Sequence, residues 1–199
     1  MSPSSASGNL CGLILAGGAS SRMGFDKGLV KFHNKPQREY LFEVLSAFCS
    51  QVHTSCRPNA SVPAALHPLP DAFDIAGPMN GILTAFQYDP ATAWLTAPVD
   101  MPYIDGRILS ILTRERDRSS VATCFFDSGG KAAEPLLAIW EPGAGQLLLD
   151  FFRKGKTSPK EFLATHDARI LKSPSPMMHV NINSQEDLKR FMDEKGHSW

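Results

Sequence analysis

A chain of 199 residues with 43% hydrophobic and 20% charged content is ordinary globular material, long enough to bury a large core without disulfide or metal staples. Twenty basic residues balance twenty acidic ones. The field of the whole molecule therefore offers nothing to nucleic acid or to an anionic membrane surface, and any anion binding has to be local.

Residues 1–9 carry no basic segment and no apolar core, so a flexible tail is expected there rather than a signal peptide, followed by a single domain over 10–199. No apolar run approaches membrane length. The cysteines, at 11, 49, 56 and 124, form no C-x-x-C pair, which argues against a zinc or redox site. Cys11 and Cys124 lie in apolar runs and are expected in the core. The expectation is a reduced, soluble, cytoplasmic protein. The six histidines, at 33, 53, 67, 166, 179 and 197, are scattered without metal-pair spacing and are assigned surface or structural roles.

Leu10 to Ala16 reads as a buried strand, because it is short, apolar and bounded at once by Gly17 and Gly18. The stretch that follows, up to Lys27, has the chemistry of a phosphate cradle. Gly17 and Gly18 let the backbone approach an anion closely, Arg22 can fork onto phosphate oxygens and Lys27 adds a point charge. Asp26 is read as support for the loop. The spacing matches neither G-x-x-x-x-G-K-[ST] nor G-x-G-x-x-G, so the loop is of another design.

Downstream, Gly28 to Phe32 is expected to be a short extended piece and Pro36 to sit in the first turn of a helix carrying Tyr40, Leu41, Val44, Leu45 and Phe48. Gln51 to Cys56 reads as a second strand and Val62 to Leu66 as a third. Residues 67–81 form a long Pro- and Gly-rich loop, a type that is often functional. A helix follows from Met79 to Tyr88, then a buried strand from Ala93 to Val99 that runs into Asp100. Asp105 has the look of a helix N-cap. Val121–Phe126 and Pro135–Trp140 read as strands joined by a hairpin-like turn at 127–131. Helical signals over 143–153 and 158–165, a short strand at Arg169–Leu171, and a capping-box variant, Ser184 to Asp187, opening a last helix complete the chain.

This alternation predicts an α/β fold, a Rossmann-like three-layer α/β/α sandwich whose mainly parallel sheet has an antiparallel hairpin component. In such sheets ligands bind beyond the carboxyl ends of the strands. The glycine loop lies at one such end and Asp100 at another. Asp100 is the first polar residue where its buried strand emerges, with Pro98 and Pro102 on either side. A carboxylate facing a cationic glycine loop can hold Mg²⁺ against phosphate oxygens, a combination suited to phosphoryl or nucleotidyl transfer.

The run Leu15-Ala-Gly-Gly-x-Ser-x-Arg-Met-Gly-x-Asp-Lys27 resembles the signature of the molybdenum cofactor guanylyltransferases of MobA type, a branch of the nucleotidyltransferases. Further matches follow in order: Asp71 with Gly77-Pro-Met-Asn-Gly81, Pro98-Val-Asp-Met-Pro-Tyr103, Glu134-Pro135, and Asn181-Ile-Asn183 before a helix. Together they span residues 10–195. The resemblance implies a fold of nucleotidyltransferase type and a reaction in which GTP with Mg²⁺ delivers GMP to molybdenum-bound molybdopterin, releasing pyrophosphate. It implies nucleotide contacts from Leu15, Ala16, Gly17, Gly18, Lys27, Asp71, Gly77, Gly81 and Asp100. It gives catalytic roles to Arg22, Lys27 and Asp100, Asp100 being the metal ligand. Asn181 and Asn183 fall on the phosphate, metal or acceptor side. Partners implied are GTP, molybdenum-molybdopterin and other enzymes that make or accept the cofactor. Two positions depart from the family pattern. Thr54-Ser55-Cys56-Arg57 stands where a base-pocket residue is looked for, and Gln37, expected on the helix surface, replaces an apolar residue. The alternatives are a relative using CTP or another phosphorylated acceptor, such as a sugar phosphate or small metabolite, and a non-catalytic nucleotide-binding protein.

Overall fold

The structure, a computed structural model, describes residues 9–17 and 26–195. The tail expected over 1–9 (Asn9 excepted), Gly18, Arg22 and His197 lie outside the described residues. Among the described residues there are seven strands: β1 (Leu10–Leu15), β2 (Gln51–Cys56), β3 (Pro68–Pro70), β4 (Ala93–Pro98), β5 (Ala122–Phe126), β6 (Ala133–Trp140) and β7 (Ala168–Leu171). They form one sheet in the order β3-β2-β1-β4-β6-β5-β7. All pairings are parallel except those of β6, which runs antiparallel to β4 and to β5. The helices are α1 (Gln37–Ser46), α2 (Pro78–Tyr88), α3 (Gly106–Arg114), α4 (Pro142–Arg153), α5 (Pro159–Thr165) and α6 (Gln185–Lys195).

The central strands are apolar without interruption because helices cover both faces of the sheet. Along β1, Cys11, Leu13 and Leu15 join one apolar cluster with α2, α4 and α5, while Leu10 and Ile14 join the other with α1 and α3. The same alternation runs along β4, where Trp94 faces the first cluster and Leu95 and Ala97 the second. Trp94 and Trp140 pair across β4 and β6 and are fully buried. Each satisfies its indole N–H, Trp94 on the Asp89 carbonyl at 3.2 Å and Trp140 on Thr96 Oγ1 at 3.3 Å. A satellite cluster of Phe32, Ile182, Leu188 and Phe191 seats α6.

Helix entries follow local chemistry. Asp105 Oδ1 accepts from the amides of Arg107 and Ile108, and Ser158 Oγ accepts from the Glu161 amide. Ser184 and Asp187 cap reciprocally: the Asp187 amide donates to Ser184 Oγ at 3.0 Å, and the Ser184 amide donates to Asp187 Oδ2 at 2.9 Å.

Three expectations are corrected. The third strand is Pro68–Pro70 rather than Val62–Leu66, where Ala64–Leu66 instead makes a 3₁₀ turn. Two prolines can sit in this strand because it is the sheet edge, and Leu69 between them is buried. Lys27–Leu29 is also a 3₁₀ turn rather than an extended piece, because Asp26 Oδ1 accepts from the Gly28 amide and Val30 N closes on the Lys27 carbonyl. Gln37 is fully buried rather than on the helix surface. Its Nε2 reaches the Met101 carbonyl only at 3.5 Å, and its Oε1 has no hydrogen-bond partner among the described residues. Among the described residues no helix is long and apolar enough to cross a membrane.

Candidate functional site

The parallel strands end together, and a cavity of about 250 Å³ opens over the ends of β1, β2 and β4. It contains Leu15, Ala16 and Gly17 from the end of β1, Lys27, Asp71, Gly77, Gly81, Asp100 and Asn183. Nine of the residues singled out from the sequence thus converge here. Asn181 does not line the cavity; its amide turns back onto the His179 carbonyl at 3.0 Å.

One end of the site is a small cluster around the Lys27 ammonium. Lys27 Nζ donates to Asn183 Oδ1 at 2.8 Å and lies 3.5 Å from Asp100 Oδ2, with both charged side chains mostly sheltered. Two devices place this ammonium. Asp26 clamps the turn from below, accepting the Gly28 amide on Oδ1 and pairing through Oδ2 with the buried Arg38 guanidinium at 3.0 Å. On the other side, the capping box of α6 includes the Asn183 amide, which donates to Asp187 Oδ2. Asp100 is tied to the same segment, since its carbonyl accepts from the Ile182 amide at 2.8 Å. Its Oδ1 is buried and has no hydrogen-bond partner among the described residues. An acceptor oxygen left in that state is costly unless a ligand completes it.

The other end is built around a Ser–Asp pair. Ser55 Oγ donates to Asp71 Oδ1 at 2.9 Å. Burial pushes the Asp71 carboxyl up from its ordinary value, opposed by the Ser55 hydrogen bond and the Arg57 charge. Two glycines make room for the pair. A Cβ on Gly17 would stand 2.7 Å from Asp71 Oδ2, and one on Gly81 would stand 2.5 Å from Ser55 Oγ. Gly77 serves the backbone, capping α2 at φ 101°, a conformation L side chains rarely adopt. The rim formed by residues 72–77 is held from within α2. Asn80 Nδ2 donates to the Phe73 and Ile75 carbonyls, its Oδ1 accepts the Phe73 amide, and Thr84 Oγ1 accepts the Ala72 amide.

The sequence gives no individual role to Ser55, which lies in the stretch where a base-pocket residue is looked for, to Asn80, which lies inside the Gly77–Gly81 motif, or to Thr84. The strand-end rule that finds Asp100 also reaches Ser55, which pairs with Leu15 at the end of β1. Asn80 and Thr84 lie one helical turn apart on α2, but nothing in their spacing marks a rim they meet only through folding. Glu134, at the start of β6, is partly buried. Burial and then the Asp100 charge hold its carboxyl up, against the Leu136 amide it accepts and the His179 and Lys160 charges.

The sequence profile of the MobA-like NTP transferase domain matches residues 12–170. A molybdenum cofactor biosynthesis bifunctional protein of Synechocystis sp. is 35% identical over 181 residues, covering 89% of this chain and 52% of that protein. The chain thus spans about half the length of that relative. A molybdenum cofactor guanylyltransferase of Serratia proteamaculans is 29% identical over 196 residues, with 94% and 96% of the two chains covered. Among solved structures, a molybdopterin-guanine dinucleotide biosynthesis protein A from Archaeoglobus fulgidus has the same fold, with a TM-score of 0.77 at 22% identity over 94% of this chain and 98% of that one.

Proposed function

The chain belongs to the family of MobA-like NTP transferase domains, and from that premise we propose that it transfers GMP from GTP to the phosphate of molybdenum-bound molybdopterin. In this reaction an oxygen of the acceptor phosphate forms a bond to the α-phosphorus of GTP. The bond from that phosphorus to the bridging oxygen breaks, and pyrophosphate leaves. No general base is required, since a phosphate monoester dianion is already a nucleophile. Catalysis is then mostly positioning and charge stabilisation.

The observation that carries this reading is the shared cavity. A sheltered cation and carboxylate, Lys27 and Asp100, stand at one end, and a hydrogen-bonded carboxylate, Asp71, at the other. Lys27 faces the triphosphate and offsets the charge that grows on the leaving pyrophosphate. The backbone from Leu15 to Gly17 runs along the nucleotide, with no side chain at Gly17 to block its approach. Asp71, held by Ser55, accepts hydrogen bonds from the base, and Gly77 and Gly81 keep that end open. Gly18 and Arg22, outside the described residues, keep the phosphate-binding roles that the resemblance implies. Asn183 orients Lys27, and Asn181 supports the turn beside it on the acceptor side.

The donor set fits Mg²⁺. Asp100 Oδ1 is buried without a partner, and no cluster of three or more His, Cys, Asp or Glu side chains forms among the described residues. A hard cation held by one or two carboxylates and completed by substrate phosphates and water suits that inventory. When bound, the cation supplies neutralisation of phosphate charge.

The test is to incubate the protein with α-labelled GTP, Mg²⁺ and molybdenum-loaded molybdopterin and to follow transfer of label to the pterin. Labelled dinucleotide product with GTP, and little with CTP, is the expected result. Transfer from CTP alone, or only to a sugar phosphate, would replace this acceptor and donor by those of a relative.

A further inference from the structure

Asp71 and Gly77 both line the cavity, while none of the residues between them does. Among the described residues, 72–76 make no backbone–backbone hydrogen bond. Two side chains of α2 hold the segment instead. The Ala72 amide donates to Thr84 Oγ1 at 2.9 Å, and the Phe73 amide donates to Asn80 Oδ1 at 3.1 Å. Asn80 Nδ2 donates to the Phe73 carbonyl and, at 2.9 Å, to the Ile75 carbonyl. The Thr84 hydroxyl closes the set by donating to Asn80 Oδ1 at 3.2 Å.

This network is buried and complete. Asn80 and Thr84 are each 4% exposed. Both hydrogens of the Asn80 amide and two acceptor positions on its oxygen are used. A buried polar network in that state is rigid. Core filling alone does not call for one, since apolar groups of the same shape serve as well. The two amides it holds belong to the residues that directly follow Asp71, so it fixes how the chain leaves that carboxylate. The same turn of α2 abuts the other member of the Ser–Asp pair, because a Cβ on Gly81 would stand 2.5 Å from Ser55 Oγ. Burial works against the charged form of Asp71, so a loosened backbone lets the carboxylate turn out to water.

We propose that Asn80 and Thr84 are positioning residues for recognition of the nucleotide base. They hold the backbone after Asp71 so that its carboxylate meets the base, and they set selectivity between bases without lining the cavity themselves. The inference rests on the nucleotidyl-transfer reading, in which Asp71 takes the base.

The test is equilibrium binding of GTP, CTP and inorganic tripolyphosphate to the full-length chain in Mg²⁺. Thr84→Val keeps the size of the side chain and removes the acceptor of the Ala72 amide, Thr84→Ser keeps the hydroxyl, and Asn80→Ala removes the other half of the network. Thr84→Val and Asn80→Ala are each expected to weaken GTP binding by about tenfold, the scale of one lost buried hydrogen-bond partner. Both should narrow the preference for GTP over CTP and leave tripolyphosphate binding unchanged, while Thr84→Ser stays near wild type. In an Asp71→Ala background, Thr84→Val should weaken GTP binding no further, because its effect passes through Asp71. Thr84→Val alone carries the test if Asn80→Ala does not fold. Unchanged GTP binding in Thr84→Val, an equal loss for GTP and tripolyphosphate, or a full further loss in the Asp71→Ala background overturns the inference and leaves the nucleotidyl-transfer reading standing. A wild-type chain that binds GTP no better than tripolyphosphate overturns Asp71 as the base contact, and the inference with it.

Discussion

The Lys27 ammonium lies 3.5 Å from Asp100 Oδ2, although one residue follows the glycine loop and the other follows β4. The ion pair is partly exposed, so screening leaves it little weight in stability. Its significance lies in placing a cation beside a carboxylate whose other oxygen is buried without a hydrogen-bond partner among the described residues, at the mouths of two strands. Lys27→Ala is expected to lower turnover roughly 10²–10³-fold, the scale for one lost transition-state charge stabiliser. Asp100→Ala is expected to lose most activity. Both variants should melt near the wild-type temperature. Near-normal GMP transfer by either one contradicts the assigned role.

Asp71 is held at a cost to stability. Its carboxyl is pushed up by burial, so between the ordinary carboxylate value of about 3.9 and the raised folded value the native state binds more protons than the unfolded one. Stability therefore falls as pH rises through that window, and the cost is complete above it. Asp71→Asn retains a partner for Ser55 and removes the buried charge. At pH 7 its thermal midpoint should equal or exceed that of wild type, while GTP binding weakens. The advantage should fade below the window, where wild-type Asp71 is protonated. Thermal melts across pH together with a GTP titration check both halves; a lower midpoint at pH 7 with undiminished GTP affinity would refute the account.

Gly81→Ala tests the room left for the Ser–Asp pair. In an ordinary helix interior the change is stabilising by about 1 kcal/mol. Here the added methyl meets Ser55 Oγ at 2.5 Å, Ser55 Cβ at 3.0 Å and Leu15 Cδ2 at 3.1 Å. Ser55 Cβ is fixed to the strand backbone, and Ser55 Oγ can turn away only by giving up its hydrogen bond to Asp71. The expected outcome is a loss of about 1–3 kcal/mol in denaturant unfolding, with weaker GTP binding. A variant more stable than wild type would show that Ser55 moves freely.

Gln37→Leu should stabilise the protein. The buried amide makes one long hydrogen bond and leaves Oε1 unpaired. Replacing it by an apolar side chain of similar size removes a desolvation cost of about 1–3 kcal/mol. A raised thermal midpoint with unchanged transfer activity is the expected result, because Gln37 does not line the cavity.

Much of the architecture was legible because it follows from local rules. Leu10–Leu15 and Ala93–Pro98 are buried on both faces and so read as unbroken apolar runs. Asp105 and Ser184 announce helix starts through side chains that satisfy amides within three residues. The edge strand at Pro68–Pro70 was not legible, since its two prolines argue against a strand until its place beside β2 is known. The burial of Gln37 was misjudged although it stands where the family pattern has an apolar residue, because its amide looks like a surface group until the Met101 backbone is placed beside it.

The sequence by itself determined the chemistry available: a glycine-bounded strand end, a lysine after it, a carboxylate where a second buried strand emerges, and an ordered set of motifs that resembles a nucleotidyltransferase. These are properties of a residue and its near neighbours, so they can be read along the chain. Only the tertiary structure decided which groups meet. It set Asn183 on Lys27 and Ser55 on Asp71, contacts between segments that the crossovers of the sheet carry to one end of its strands. Partners of that kind are selected by strand order and register, and neither is written in local spacing.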